Sequence, residues 1–294
     1  MGIALNLDMK RKCPSCANKS SSHPIHGFFI RKSDHRIIQR FKCIHCGKTF
    51  SQSTTQLCYW QKKRKLNPRI FELLCSGVSQ RRIARLLKIS RTTVTRKFLF
   101  LAEHCQNLNK KDLRRIGSIS ELQFDDLETI EHTKCKPLSV VMAVDRATRR
   151  IFSFAVSPMP AKGHLAKIAR KKYGHRADQR SIGWNHVFSE VAPKILESAT
   201  LESDQNPHYL GIVRKWCPQA KHITYEGKRG CISGQGELKK TLYDPLFSLN
   251  HTFAMCRANI NRLFRKTWCT TKKADRLSAH LELYVNYHNR QLIV

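Results

Sequence analysis

Apolar residues recur at helical spacing through the first third of the chain and then change to strand-like runs. From Asn67 the text NPRIFELLCSG, VSQRRIARLLKIS and RTTVTRKFLFLAEHC parses as three helices, broken at Gly77 and over residues 88–90. Ser79 and Ser90 are suited to N-caps, because a hydroxyl can accept a bond from a first-turn N–H. Ile83, Ala84 and Leu87 make an apolar face, Ile89 plugs the turn, and Val94 with Phe98 continues the face onto the third helix. This is the pattern of a helix-turn-helix. Its third helix is expected to present Arg91, Thr92, Thr93, Thr95, Arg96 and Lys97 to solvent, a set able to bond phosphates and base edges in a major groove. That helix is expected to run to Cys105, with the basic stretch NLNKKDLRRIGS as a linker.

Beyond the linker, SISELQFDDL, PLSVVMAVD and IFSFAV read as three strands with short connections, hence an antiparallel meander. A basic stretch over 161–183 follows, then the helical pattern WNHVFSEVAPKIL, a short strand ending at Ser203 and Asp204, and a helix in NPHYLGIVRKWC. Near the end, Leu249, Phe253, Cys256, Ile260 and Leu263 mark the core face of another helix, beside a stripe of Asn250, Ala254, Arg257 and Asn261. A last helix is expected in DRLSAHLELYVNYHN. Alternating strands and helices imply an α/β domain. The chain is therefore expected to be multidomain: a small β zinc ribbon over 1–57, an all-α helix-turn-helix over 58–110 and an α/β domain over 111–294.

Charge changes this picture from architecture to partner. Fifty-four Lys and Arg against 21 Asp and Glu give a formal charge of +33, which repels itself until a polyanion neutralises it. Nucleic acid is the expected partner. No apolar stretch reaches membrane-spanning length and no basic amphipathic helix stands alone at a terminus, so membrane binding is disfavoured. The apolar run at the start is too short for an export signal, which leads to the expectation of a cytoplasmic protein.

Of 12 cysteines, Cys13 and Cys16 in KCPSC and Cys43 and Cys46 in KCIHCGKTF form two CxxC knuckles separated by 26 residues. Tetrahedral zinc takes four thiolates from such knuckles, and no thioredoxin-like context supports a redox role. His23, His26 and His35 lie in the intervening loop as less suitable alternatives. With only Ile37, Phe41, Phe50 and their neighbours to bury, this module needs the metal to fold. It is either structural or a second DNA contact, in which case Arg31, Lys32, Arg36, Arg40 and Lys42 would meet phosphates. The other eight cysteines are expected to be buried thiols.

Phosphoryl transfer by two metal ions needs acidic oxygens from separate elements that converge. Asp125 and Asp204 each end or interrupt an apolar strand, where a carboxylate is unfavourable unless something such as a metal offsets its burial. Asp126, Asp145, Glu128 and Glu131 compete for the first role, and Asp145 is better explained by the turn in DRATRR.

QFDD, Asp145 twenty residues after Asp125, SDQNPHY and NHTFAMCRANINRLFRKTWCTTK resemble the catalytic region of the insertion-sequence-one type of DDE transposases. The ribbon and KISRTTVTRKF resemble the DNA-binding half of that group. The likeness spans most of residues 10–290, weakly over 161–198 and 227–236. It implies a ribonuclease H-like catalytic fold, two magnesium or manganese ions, the element's terminal inverted repeats and target DNA as substrates, and a homo-oligomer that joins two ends. The group's third acid is a Glu seven residues before a basic residue; here Asn250 stands seven before Arg257. An amide offers an oxygen without charge, so Glu237 or Asp244 is a candidate to compensate. Arg257 would hold a phosphate or be a solvated helix charge, and His251 would orient water or lie at the surface. Arg262, Arg265, Lys266, Lys272 and Lys273 extend a basic track. Three functions remain open: an active transposase, a catalytically inactive DNA-binding regulator derived from one, and an RNA-processing nuclease.

Overall fold

The computed structural model describes residues 12–16, 23–32, 35–226, 244–264 and 268–293. Two compact units result, Met1–Asn67 and Pro68–Val294. The first holds a three-stranded antiparallel sheet of β1 (Ile25–Arg31), β2 (Arg36–Lys42) and β3 (Thr49–Ser51). Its small core is Phe41 and Phe50 with the four paired cysteines. Ile37, expected to contribute, is 69% exposed. It pairs with Ile30 on the hairpin, and the thiols lie against Phe41 and Phe50 instead.

The second unit begins with α1 (Asn67–Leu74), α2 (Gln80–Leu86) and α3 (Arg91–Arg115). The expected caps form: Ser79 Oγ accepts from Arg82 N–H at 3.3 Å, and Ser90 Oγ from Thr93 N–H at 3.1 Å. Helix α3 does not stop at Cys105. The stretch read as a linker continues it to Arg115, and the boundary expected near 110 falls inside the helix. Leu, Lys and Asp there are compatible with helix, and α3 has a partner to lean on, α8 (Ala274–Tyr287). Asn109 Nδ2 donates to Glu282 Oε2 at 2.8 Å, and Asn286 Nδ2 donates to Asn109 Oδ1 at 3.1 Å. Tertiary bonds thus stabilise a segment whose polarity alone suggests a loop.

The remainder is an α/β layer structure around a mixed sheet. β4 (Ile119–Ile130), β5 (Pro137–Asp145) and β6 (Ile151–Pro158) form the antiparallel meander, and β7 (Ile195–Asp204) and β8 (Lys221–Tyr225) add parallel strands, giving the order β6-β5-β4-β7-β8. Between β6 and β7 the basic stretch supplies a helix not expected from the pattern, α4 (Leu165–Tyr173), followed by α5 (Arg180–Val191); α6 (Pro207–Trp216) follows β7. The helix expected to reach Leu196 ends at Val191, and β7 takes over at Ile195.

On β4 the two faces have different duties, as alternation requires. Leu122 and Phe124 enter a core with Trp184 and Phe188 of α5 and Tyr209 of α6. Gln123 turns to the other face and meets α7 (Phe247–Asn259): its Oε1 accepts from Leu249 N–H at 3.1 Å, and its Nε2 donates to the Pro245 carbonyl at 2.9 Å. Helix α7 stops at Asn259, so Asn261 of the expected stripe lies in a following turn, while Leu263 stays buried. Among the described residues no helix is long and apolar enough to cross a membrane.

Candidate functional site

The thiol cluster comes first along the chain. The Sγ atoms of Cys13, Cys16, Cys43 and Cys46 all lie within 4.8 Å of one another. Cys13 and Cys46 are 3.7 Å apart, and Cys16 and Cys43 3.5 Å. Sulfurs about 2.3 Å from a tetrahedral ion are about 3.8 Å from each other, so the four could bind a metal such as zinc. The backbone N–H of Cys16 leads in pulling the Cys13 thiol down to about 6, and that of Cys46 lowers Cys43. Both effects favour the thiolate that a metal requires. His23 packs edge-on against Phe50, with ring centroids 5.1 Å apart, and like His26 and His35 stands outside the cluster.

Of the other cysteines, Cys75, Cys105, Cys217 and Cys256 are buried as expected, and burial raises each thiol. Cys58, Cys135 and Cys269 are only half-buried, which corrects the expectation for them. Cys231 lies outside the described residues.

A second site opens where β4 and β7 run side by side. The parallel register pairs Gln123 with Glu202. The same offset, carried two residues further on each strand, sets Asp125 beside Asp204. Both line one open cleft of about 460 Å³, together with Asp126, Glu128, Lys162, Arg180, Gln205 and Asn206. Burial pushes the Asp125 carboxyl up to about 7, and the negative charge of Asp204 adds to that rise. The two cations of the cleft are already engaged: Lys162 Nζ is 2.6 Å from Glu128 Oε1, and Arg180 Nη2 is 2.6 Å from Asp178 Oδ2.

Asp125 is held on one side only. Its Oδ1 accepts from the Asp126 N–H at 2.6 Å and from the Tyr209 hydroxyl at 2.9 Å. Tyr209 is buried against Phe124 and Trp184, so the hydroxyl is fixed in place. Asp204 Oδ1 accepts from Asn206 N–H at 3.0 Å, and Asn206 in turn caps α6 with Pro207 at the first helical position. The adjacent acid has a different environment. Asp126 accepts from Ser139 Oγ at 2.6 Å and from Trp184 Nε1 at 3.0 Å, and burial raises its pKa against these bonds.

The competing acids Asp145 and Glu131 have structural partners. Asp145 Oδ2 accepts from Thr148 N–H at 2.7 Å, the expected turn bond, and Glu131 pairs with Arg176 at 3.1 Å. Asn250 and Arg257 both lie on α7 but are not among the residues lining the cleft. Asn250 is exposed, and its Nδ2 donates to Asp244 Oδ2 at 3.0 Å. Arg257 is half-buried, and its charge partly opposes the burial that raises the neighbouring Cys256 thiol. His251 lies 3.1 Å from Arg149 Nη1 through its Nδ1. Glu237, Arg265 and Lys266 lie outside the described residues.

On α3, Arg91, Thr92 and Arg96 are exposed, and Thr93 and Thr95 are half-exposed with hydroxyls bonded to Ser90 and Gln80. Lys97 is buried, at 4% exposure, and does not belong to the exposed face. The reason was legible: Val94, Lys97, Phe98, Leu101 and Cys105 follow one another at helical spacing and form the buried stripe. Arg262 is likewise no part of an open basic track, because its guanidinium sits 5.5 Å from the Phe98 ring centroid and burial lowers its pKa. Sequence pattern assigned no role to Tyr209, Ser139 or Trp184; Tyr209 and Trp184 read as ordinary core aromatics and Ser139 as an ordinary polar residue in a strand, and only the structure shows which acid each meets.

No family model matches the chain, and no curated protein matches it.

Proposed function

We propose that this protein is a metal-dependent DNA strand-cutting and strand-joining enzyme of the transposase kind. A single observation carries the reading: Asp125, within β4, and Asp204, at the end of the adjacent parallel β7, are 79 residues apart in the chain yet share one cleft, where the charge of Asp204 helps to raise the Asp125 carboxyl. Two carboxylates crowded without a free cation fit magnesium or manganese, hard ions that take oxygen ligands. When bound, two such ions would stabilise the attacking and leaving oxygens of an in-line displacement at phosphorus.

The chain's own residues then divide the work. Asp125 and Asp204 hold the ions, with water and DNA phosphate supplying further oxygens. Tyr209 and the Asp126 N–H bond Oδ1 of Asp125, so Oδ2 would be the oxygen offered to an ion. The sheet order, with the first acid on the central strand, supports the ribonuclease H-like reading. The four thiols serve a structural zinc, and the start of α3, through Arg91, Thr92 and Arg96, meets the element's terminal repeats. Asp204→Ala is expected to abolish magnesium- or manganese-dependent cleavage of cognate ends while end binding in a gel-shift assay is unchanged. Cleavage at the natural rate by that variant would overturn the assignment.

A second reading, a regulator that binds but does not cut, is favoured by the uncharged Asn250 bonded to Asp244. Asn250→Glu separates the two. If the natural chain never cuts its ends and the Glu variant does, the regulator is correct.

A further inference from the structure

Over residues 146–177 the chain has no Asp or Glu but nine Lys or Arg and two His. Its outlying part is α4, which buries only Ala169 and leaves Lys167, Arg170, Lys171 and Lys172 exposed. Helix stability accounts for only part of this charge: Arg170, Lys171 and Lys172 suit the last turn. Lys167 lies in the first turn, where the helix dipole disfavours a cation, and it stands one turn from Arg170 and Lys171, where like charges repel. The helix is nonetheless held next to the carboxylates, because Lys162 before it and Arg180 after it both line the cleft.

The surface has shape as well as charge. Ala166, Lys167, Arg170 and Lys171 line a shallow hollow of about 420 Å³. The aromatic ring of α4, Tyr173, has Lys136 Nζ at 4.6 Å and Lys172 Nζ at 5.5 Å from its centroid. Ammonium groups engage that ring, so it is not an open platform for unstacked bases, as a single-strand grip would need. What remains is a row of cations suited to phosphates in a duplex, without regard to sequence.

We propose that α4 and its flanks grip the phosphate backbone of duplex DNA beside the carboxylate cleft, separately from the face of α3. The inference rests on the reading above for DNA as partner, but it does not require cleavage. The test measures binding of the full chain to a 30-base-pair duplex of arbitrary sequence across a salt series, without added divalent ions. Each phosphate contact contributes about 0.9 to the slope of log affinity against log salt. The variant K167Q/R170Q/K171Q/K172Q is expected to show a slope shallower by about 3 to 4, and K167R/K171R/K172R the natural slope. Lys171→Glu alone, at an exposed position, is expected to lower the slope by about 1 and covers the case in which the fourfold variant folds poorly.

An unchanged slope in the Gln variant, or an equal loss in the Arg variant, overturns the proposal. Tighter binding of a duplex RNA of equal length, lost in the Gln variant, would also overturn it by assigning the surface to RNA. If Asp204→Ala still cuts DNA while the slope falls as expected, the cleft assignment fails and this surface stands.

Discussion

Asp125 is the residue at which burial, charge and ligand chemistry meet, and its titration is testable. Its carboxyl is raised to about 7 in the folded chain from an ordinary 3.8. A raised acid binds its proton more tightly folded than unfolded, so it favours folding at low pH and loses that advantage as pH rises. Below about pH 4 both states are protonated. Between there and about pH 7 the unfolded state has released the proton and the folded state has not, and stability without divalent ions falls by about 1.4 kcal/mol per pH unit. Above that window the loss is complete. Asp125→Asn removes this titration and keeps an oxygen for the Tyr209 hydroxyl. Urea unfolding from pH 5 to 8, with no added magnesium or manganese, should therefore show the natural chain losing ground to the variant. Added manganese should stabilise the natural chain at pH 8 and not the variant. A difference between the two that stays constant from pH 5 to 7 would refute the account.

Among the elements, helix α5 is pressed most closely onto the sheet, and a glycine permits it. A methyl group added at Gly183 would collide with Ser157 Oγ on β6 and touch the Ala155 side chain at 3.4 Å. Trp184, the next residue, is thereby brought to Asp126. Gly183→Ala is expected to cost about 1–3 kcal/mol, as overpacking does, and to weaken metal-dependent activity through displacement of Trp184. Chemical denaturation of the variant checks the first effect; wild-type stability would show that the helix can shift without strain. This contact also explains what the sequence could and could not disclose. The meander was legible because short connections and apolar runs of strand length stand alone in determining it. The caps at Ser79 and Ser90 were legible because a hydroxyl before an apolar repeat is a local signal. Helix α4 was not, because it buries a single alanine and so leaves almost no apolar periodicity. The extension of α3 past Cys105 depends on Asn109 meeting Glu282 and Asn286, partners more than 170 residues away. Asp125 and Asp204 were legible as acids out of place in apolar strands, whereas Tyr209, the partner of Asp125, was hidden among core residues.

At the scale of the whole chain, the two units differ in what holds them. The unit Pro68–Val294 has a broad apolar core across its sheet, in which Leu122, Phe124, Phe188 and Leu201 are essentially inaccessible. Such burial contributes about 1.5–3 kcal/mol for each large side chain. Among the described residues of the unit Met1–Asn67 the apolar core is Phe41 and Phe50 with the cysteines, while Ile25, Phe28, Ile30 and Ile37 remain mostly exposed. Two phenylalanines are a small apolar contribution against the entropy of ordering such a module. A zinc ion in four thiolates contributes about 10–16 kcal/mol in comparable small modules, more than those two side chains together. Purified protein should therefore contain one equivalent of zinc. A strong chelator that removes it should expose residues 12–66 to rapid proteolysis and leave a resistant fragment beginning near Pro68. Cys43→Ser should reproduce the proteolysis without chelator. If the stripped protein resists cleavage over 12–66 as well as the native one does, the sheet of the first unit is held by contacts other than the metal. The thiols would then be a cluster without a structural ion.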